Sequence, residues 1–247
     1  MGCYKFTTDL LNKERLLEDL GVVEYVEVDD EGVLSIFFES DEDLKSDSLV
    51  SMDVDWNKQS EQHSEYYCSD GYMHFPMGKD RDLLLLPGEG FGDLSHPTTL
   101  LTLELMRSEV YGEKVLDIGS GSGVLSLAAS IWGAQDVLGI DIDPEAVAHA
   151  NINLEVNALK NISFDRSDEE YLLNYNPSMI VINMITSEQD VVWLSYPQLG
   201  SYRNIVWIIS GILLEQKDEY LLFAERRGWI LQKDLERDGW IGFIFHS

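Results

Sequence analysis

Two carboxylates bracket three glycines in this chain. The segment runs Asp117-Ile118-Gly119-Ser120-Gly121-Ser122-Gly123, and a second apolar run, Val137-Leu138-Gly139-Ile140, ends on Asp141. Glycines at alternate positions permit a turn through positive φ, and they let a bound group reach main-chain N–H groups that any side chain would shield. An acid closing the next apolar run can accept hydrogen bonds from both hydroxyls of a ribose. The chemistry indicated is the binding of a nucleoside cofactor. The elements that must position these groups are legible nearby. Val115, Leu116 and Ile118 form a short apolar strand, and Val124 to Trp132 carry helical spacing. The whole reads as strand, glycine loop, helix, strand, acid.

The type of nucleoside follows from what the loop lacks. A dinucleotide site uses G-x-G-x-x-G/A; here the third glycine comes one residue early and Val124 holds the dinucleotide position. Asp117, two residues before Gly119, would repel a pyrophosphate and suits a positively charged amino group. S-adenosylmethionine has a ribose, an amino group and a sulfonium, and no phosphate. It is the cofactor expected, with Gly119 and Gly121 as the points of backbone approach, Asp117 facing positive charge and Asp141 on the ribose.

The 247 residues allow one large domain, or one domain with a small appendage, and hydrophobic residues make up 45% of them. No apolar run reaches the roughly 20 residues of a membrane span, and the first 20 residues lack a signal-peptide core. Cys3 and Cys68 stand far apart, so a reduced, cytoplasmic protein is expected. His63, His74 and His96 have no metal-ligand spacing, and no metal is expected. The net charge of −28 argues against direct binding to nucleic acid and permits a basic protein partner.

Taken in order, Thr8 to Leu20 has the pattern of a short helix, Val22–Val28 and Val33–Phe38 read as a hairpin about Asp29-Asp30-Glu31-Gly32, and Ser40 to Asp55 reads as an acidic loop. Leu83–Leu86 is a short strand. Thr98 to about Val110 is a helix opened by His96-Pro97. Beyond Pro144 a helix extends to about Asn157. Strands follow at Ile162–Phe164, Met179–Ile182 and Asn204–Ser210, the last stopped by Gly211, and then a helix at Leu214–Arg227. A closing hairpin, Trp229–Leu235 and Trp240–Phe245, turns about Arg237-Asp238-Gly239. Strands alternating with helices imply an α/β, doubly wound, mostly parallel Rossmann-like sheet of seven strands with an antiparallel edge. Ligands should sit at the carboxyl ends of the strands, where Gly119, Asp141, Asp165 and Asn183 converge. The domains expected are a small acidic α/β appendage over residues 1–50, a connecting region over 51–86 and a cofactor-binding domain over 87–247.

This pattern resembles class I S-adenosylmethionine-dependent methyltransferases and, more narrowly, the ribosomal protein L11 methyltransferase family. The pieces that carry the resemblance are Asp55-Trp56-Asn57, Pro87-Gly88, Phe91-Gly92, His96-Pro97-Thr98-Thr99, the glycine loop, Gly139-Ile140-Asp141-Ile142-Asp143-Pro144, Asn183-Met184-Ile185 and Ser210-Gly211-Ile212-Leu213. The resemblance implies a protein N-methyltransferase acting on a basic ribosomal protein, with the N-terminal region recognising it. It implies that Thr99, Gly119, Asp141 and Asn183 bind the cofactor, with Asn183 also the catalytic candidate; Asp165, by its place at a strand end, is either an adenine contact or a turn residue. Two stretches depart from the family: Gly92-Asp93-Leu94-Ser95 replaces a glycine- and threonine-rich loop, and Lys58 to Glu65 replaces a basic, aromatic stretch. They leave open a methyltransferase acting on another protein or a small molecule, and a paralogue that keeps the cofactor without catalysis.

Overall fold

The computed structural model describes residues 2–8, 25–28, 34–40, 49–52, 66–78, 81–88, 90–92, 94–166 and 175–247. The chain divides into two compact units, Met1–Asp55 and Trp56–Ser247.

The first unit is a four-stranded antiparallel sheet built of β1 (Gly2–Thr8), β2 (Tyr25–Val28), β3 (Leu34–Ser40) and β4 (Leu49–Met52), in the order β2-β3-β1-β4. β2 and β3 pair as the expected hairpin. β4 corrects the reading of Ser40–Asp55 as loop: its four residues, Leu-Val-Ser-Met, pair with β1 inside an acidic stretch whose charge masks them. β1 was not anticipated either, although Tyr4 and Phe6 alternate with polar neighbours as a strand requires. The helix expected over Thr8–Leu20 lies outside the described residues.

The second unit opens with a hairpin, β5 (Met73–Gly78) and β6 (Arg81–Leu85), which occupies part of the stretch read as a connection. Met73, Leu83 and Leu85 are fully buried in the unit's core. Next come α1 (Pro97–Met106), β7 (Lys114–Ile118), α2 (Val124–Ile131), β8 (Asp136–Asp141), α3 (Pro144–Asn157), β9 (Ile162–Arg166) and β10 (Met179–Asn183). The chain ends with α4 (Thr186–Ser195), β11 (Val206–Leu213), α5 (Lys217–Arg226), β12 (Ile230–Arg237) and β13 (Trp240–His246). The seven-stranded sheet has the order β12-β13-β11-β10-β7-β8-β9. Its five strands from β11 to β9 are parallel, and β13 and β12 join antiparallel at the other edge, as expected.

Alternation along each strand sends side chains into two cores, which is why these strands read as near-continuous apolar runs. Val115, Val137, Val181, Ile208 and Ile244 pack with α1, α2 and the β5–β6 hairpin. Leu116, Leu138, Ile180, Ile182, Trp207, Ile209, Phe243 and Phe245 pack on the opposite face with Val192 of α4 and Tyr220 and Ala224 of α5. The fold is thus doubly wound. Helix starts follow local chemistry: His96 and Asp143 cap α1 and α3 through side-chain acceptors, each followed by a proline. Asp238 and Gly239 both take positive φ in the final two-residue turn.

Two further expectations change. β11 does not stop at Gly211 but passes through it to Leu213, with a register shift between Ile209 and Ile212 that absorbs the glycine's φ of +84°. α4 was not expected, because only Gln189 and Val192 of its ten residues are buried and its apolar periodicity is correspondingly faint.

Trp207 is fully buried, stacks on Trp229 at 4.4 Å between ring centroids and donates its indole N–H to Ser247 Oγ at 3.2 Å. Trp207→Ala should therefore cost roughly 3–5 kcal/mol, read as a lowered urea midpoint.

Candidate functional site

The order of strands reverses at β7, which has β8 on one side and β10 on the other. In open α/β sheets the crevice beyond such a switch point is where ligands bind. The glycine loop leaves β7 here, and Asn183 ends β10 beside it. Gly119, Gly121 and Gly123 have φ of +74°, +52° and +82°. A Cβ on Gly119 would overlap the Met184 methyl, and one on Gly121 would overlap the Phe91 carbonyl. Both conformation and space exclude other residues.

The loop's backbone is held on several sides. Gly119 and Ser120 donate their N–H groups to Ile140 O at 2.8 and 3.0 Å, and Ser122 N–H donates to Phe91 O at 2.8 Å. Asp141, half-buried at the end of β8, accepts from Gly121 N at 2.9 Å through Oδ2 and from Asp143 N at 3.0 Å through Oδ1. Its carboxylate is fixed at the crevice edge with lone pairs to spare.

Asp117 is 1% exposed. Oδ2 accepts a hydrogen bond from Ser126 Oγ at 2.7 Å, while Oδ1 is buried without a partner. Burial, and secondarily the Asp141 charge, push its pKa up to about 7 against the opposing Ser126 bond. A carboxylate so poised gains by meeting a cation. Thr99 Oγ1, Ser120 Oγ, Asn183 Oδ1 and Ser210 Oγ are likewise buried and unpartnered. Asn183 and Ser210 are register partners at the ends of β10 and β11, and Thr99 lies in the first turn of α1, whose N–H groups carry the positive end of the helix dipole. Buried polar groups in folded proteins are ordinarily satisfied. Several orphans around one crevice fit a ligand rich in both donors and acceptors, as a ribose and an amino acid are.

The sequence-derived candidates thus divide. Asp117, Gly119, Gly121, Asp141 and Asn183 are carried by the strand ends and the loop at this switch point, and Thr99 by the first turn of α1. Asp165 sits near the end of β9 and is exposed, with Oδ1 accepting from Arg166 N at 2.7 Å. Among the described residues no group of three or more His, Cys, Asp or Glu is arranged to hold a metal, and no helix is long and apolar enough to cross a membrane.

Several contributors escaped sequence reasoning. Ser120 and Ser210 lie within recognised motifs, but their burial without partners is a tertiary fact. Glu188, in the first turn of α4, has its carboxyl pKa raised by desolvation first and by the Asp141 charge in part. A third set supports the loop from behind. On α3, His149, Asn153 and Asn157 repeat at every fourth residue and bind the backbone leaving β6. Asn157 exchanges bonds with Leu84 N and O at 3.0 and 2.6 Å, and Asn153 accepts from Leu86 N at 2.8 Å. His149 Nδ1 accepts from Gly90 N at 3.0 Å, which leaves Nε2 to donate to Leu86 O at 2.9 Å. Burial lowers the His149 pKa, in keeping with this neutral form. Phe91 and Gly92, next in the chain, supply the carbonyls that meet Ser122 N and Oγ.

The strand order and the loop define a class I methyltransferase fold. A family model described as ribosomal protein L11 methyltransferase (PrmA) matches residues 70–247. The chain belongs to that family. A ribosomal protein L11 methyltransferase of Anoxybacillus flavithermus is 32% identical over 182 residues, covering 68% of this chain and 55% of that protein. One from Pseudomonas aeruginosa is 36% identical over 162 residues, covering 65% and 54%. A crystal structure of ribosomal protein L11 methylase from Lactobacillus delbrueckii subsp. bulgaricus matches with a TM-score of 0.59 and 28% identity, over 69% of this chain and 88% of that one. The chain spans about half the length of the curated relatives it matches.

Asp117 gives a pH signature. Its folded pKa of about 7 lies above the unfolded carboxylate value near 3.9, so the protonated form is the one the fold favours. Its contribution to stability is present below about pH 4 and is lost as pH rises towards 7. Asp117→Asn should therefore raise the urea midpoint of the unliganded protein at pH 8, and the gain over wild type should shrink towards pH 4.

Proposed function

We propose that this chain is an S-adenosylmethionine-dependent protein N-methyltransferase whose substrate is a basic ribosomal protein. The observation that carries the reading is the set of buried, unpartnered polar atoms, Thr99 Oγ1, Asp117 Oδ1, Ser120 Oγ, Asn183 Oδ1 and Ser210 Oγ, together with a loop whose glycines have no room for a side chain. When bound, S-adenosylmethionine supplies a methyl group on a sulfonium for in-line displacement by a neutral nucleophile.

The residues would share the work as follows. Asp141 accepts from the ribose hydroxyls. Asp117 faces the amino group, whose charge draws the carboxyl back to its ionised form. Thr99 donates to the carboxylate of the methionine portion near the α1 N–H groups. Gly119 and Gly121 keep the loop backbone open to approach, and Asp165 takes the adenine side. Asn183 orients the attacking amine through its side-chain carbonyl. A lysine amine, with a free pKa near 10.4, must lose its proton first, and the desolvated crevice lowers that value. Methyl transfer asks mainly for alignment and exclusion of water, which rigid strand ends provide. The net charge of −28 favours encounter with a basic substrate.

Incubation of the full chain with methyl-labelled donor and a ribosomal extract tests the substrate class. Label on a basic ribosomal protein is the expected result; label only in small molecules would discard that class. Asp141→Ala should weaken donor binding at least tenfold, about 1.4 kcal/mol, by titration calorimetry. An unchanged dissociation constant would remove Asp141 from the ribose.

A further inference from the structure

A buried amide holds the turn that carries Asn183. Gln189, in the second turn of α4, is 1% exposed. Its Nε2 donates to Met184 O at 2.8 Å and to Ser210 O at 3.1 Å, and its Oε1 accepts from Tyr220 Oη at 2.6 Å. Tyr220 is 6% exposed on α5. The orientation of the amide is fixed by this set. Flipped, it would set its oxygen against two carbonyls. One side chain therefore ties the residue after Asn183 to β11 and to α5.

The rest of the turn is held further along, by Ile185 O accepting from Glu188 N and Gln189 N and by Thr186 Oγ1 accepting from Gln216 Nε2. Beyond the last β10–β11 register pair, Met184 N–H reaches Ser210 O only at 3.3 Å. Gly211, next along β11, lies so close that a Cβ there would overlap the Met184 carbonyl. Asn183, Met184 and Ser210 thus present two faces. On one, the Met184 and Ser210 carbonyls are gripped by Gln189. On the other, Asn183 Oδ1 and Ser210 Oγ are buried and unpartnered, and the Met184 side chain lies over Gly119. An amide serving only to anchor α4 would be a costly choice, since burying a polar group stabilises little even when satisfied. Here it fixes backbone that bears site residues.

We infer that Gln189, oriented by Tyr220, is a positioning residue that sets the direction of the Asn183 side-chain carbonyl and of Ser210 into the crevice. This rests on the reading of Asn183 as a site residue. Replacing Gln189 by a thioether of similar volume leaves Met184 O unpaired and frees the turn to reorient.

The test uses the full chain, with Gln189→Met as the main variant and Tyr220→Phe as the milder one should the first fail to fold. The side-chain amide resonances of Asn183, assigned by their loss in Asn183→Ala, are followed by NMR without donor. Calorimetry then measures donor binding in Gln189→Met, Asn183→Ala and the double variant. The expected result is a shifted or broadened Asn183 amide pair in each Gln189 or Tyr220 variant. Gln189→Met should lose about fivefold or more in donor affinity, and less than twofold further when Asn183 is already alanine, because residues acting through one another are not additive. An unmoved Asn183 resonance, or fully additive losses, would overturn the inference. A wild-type chain that binds no donor would instead overturn the proposed function, and the resonances alone would then decide for or against Gln189.

Discussion

The site depends on one constraint: at its three glycines the loop after β7 has to pass so close to neighbouring chain that no side chain fits. Ile140 lies on one side and Phe91 on another, with Met184 above Gly119 and Phe164 against Gly123. Each contact is a direct approach to backbone or to a packed side chain. The loop therefore cannot shift without disturbing β8, β10 or the segment after β6. That coupling makes it a fixed rim rather than a flexible flap, and it explains why three alternate positions all take φ values that only glycine adopts easily.

Fixing the loop has an electrostatic consequence. Asp117 is buried near the end of β7, and the Asp141 charge acts on it. The fold stores an unfavourable arrangement of two acids, one of them without a full set of partners. Such arrangements recur where a ligand supplies what the protein omits. The same logic applies to Thr99, Ser120, Asn183 and Ser210, whose polar atoms have been removed from water without replacement.

Much of this was legible in the sequence because it is local. The Asp-x-Gly-x-Gly-x-Gly spacing, the acid after the next strand and the proline-led helices each express a short-range rule. The strand alternation and the final Asp238-Gly239 turn do so too. What was hidden depends on burial of polar residues, which no periodicity reports. α4 is faint in the sequence because only Gln189 and Val192 of it are buried, and the polar His149-Asn153-Asn157 face of α3 shows no apolar periodicity. A glycine after an apolar run reads as the end of a strand, so Gly211 hid the continuation of β11 to Leu213. Its role is to let β11 lie against the Met184 backbone, a contact made only in the folded sheet. β4 was hidden by the acids around it. Asp165 was grouped with the other strand-end acids by its position, and the structure shows it exposed, without the burial that marks the rest.

The polar face of α3 has a meaning beyond support of the loop. Its asparagines and histidine occupy the outward N–H and C=O groups of Leu84 and Leu86, the groups by which an edge strand recruits another chain. A helix has been made to serve as the missing neighbour of β6. The β6 edge is thereby closed to intermolecular strand addition, while β5, the other edge, carries Pro76 and a register shift between Pro76 and Gly78; the guard on β6 is written into the same turns of α3 that face the glycine loop.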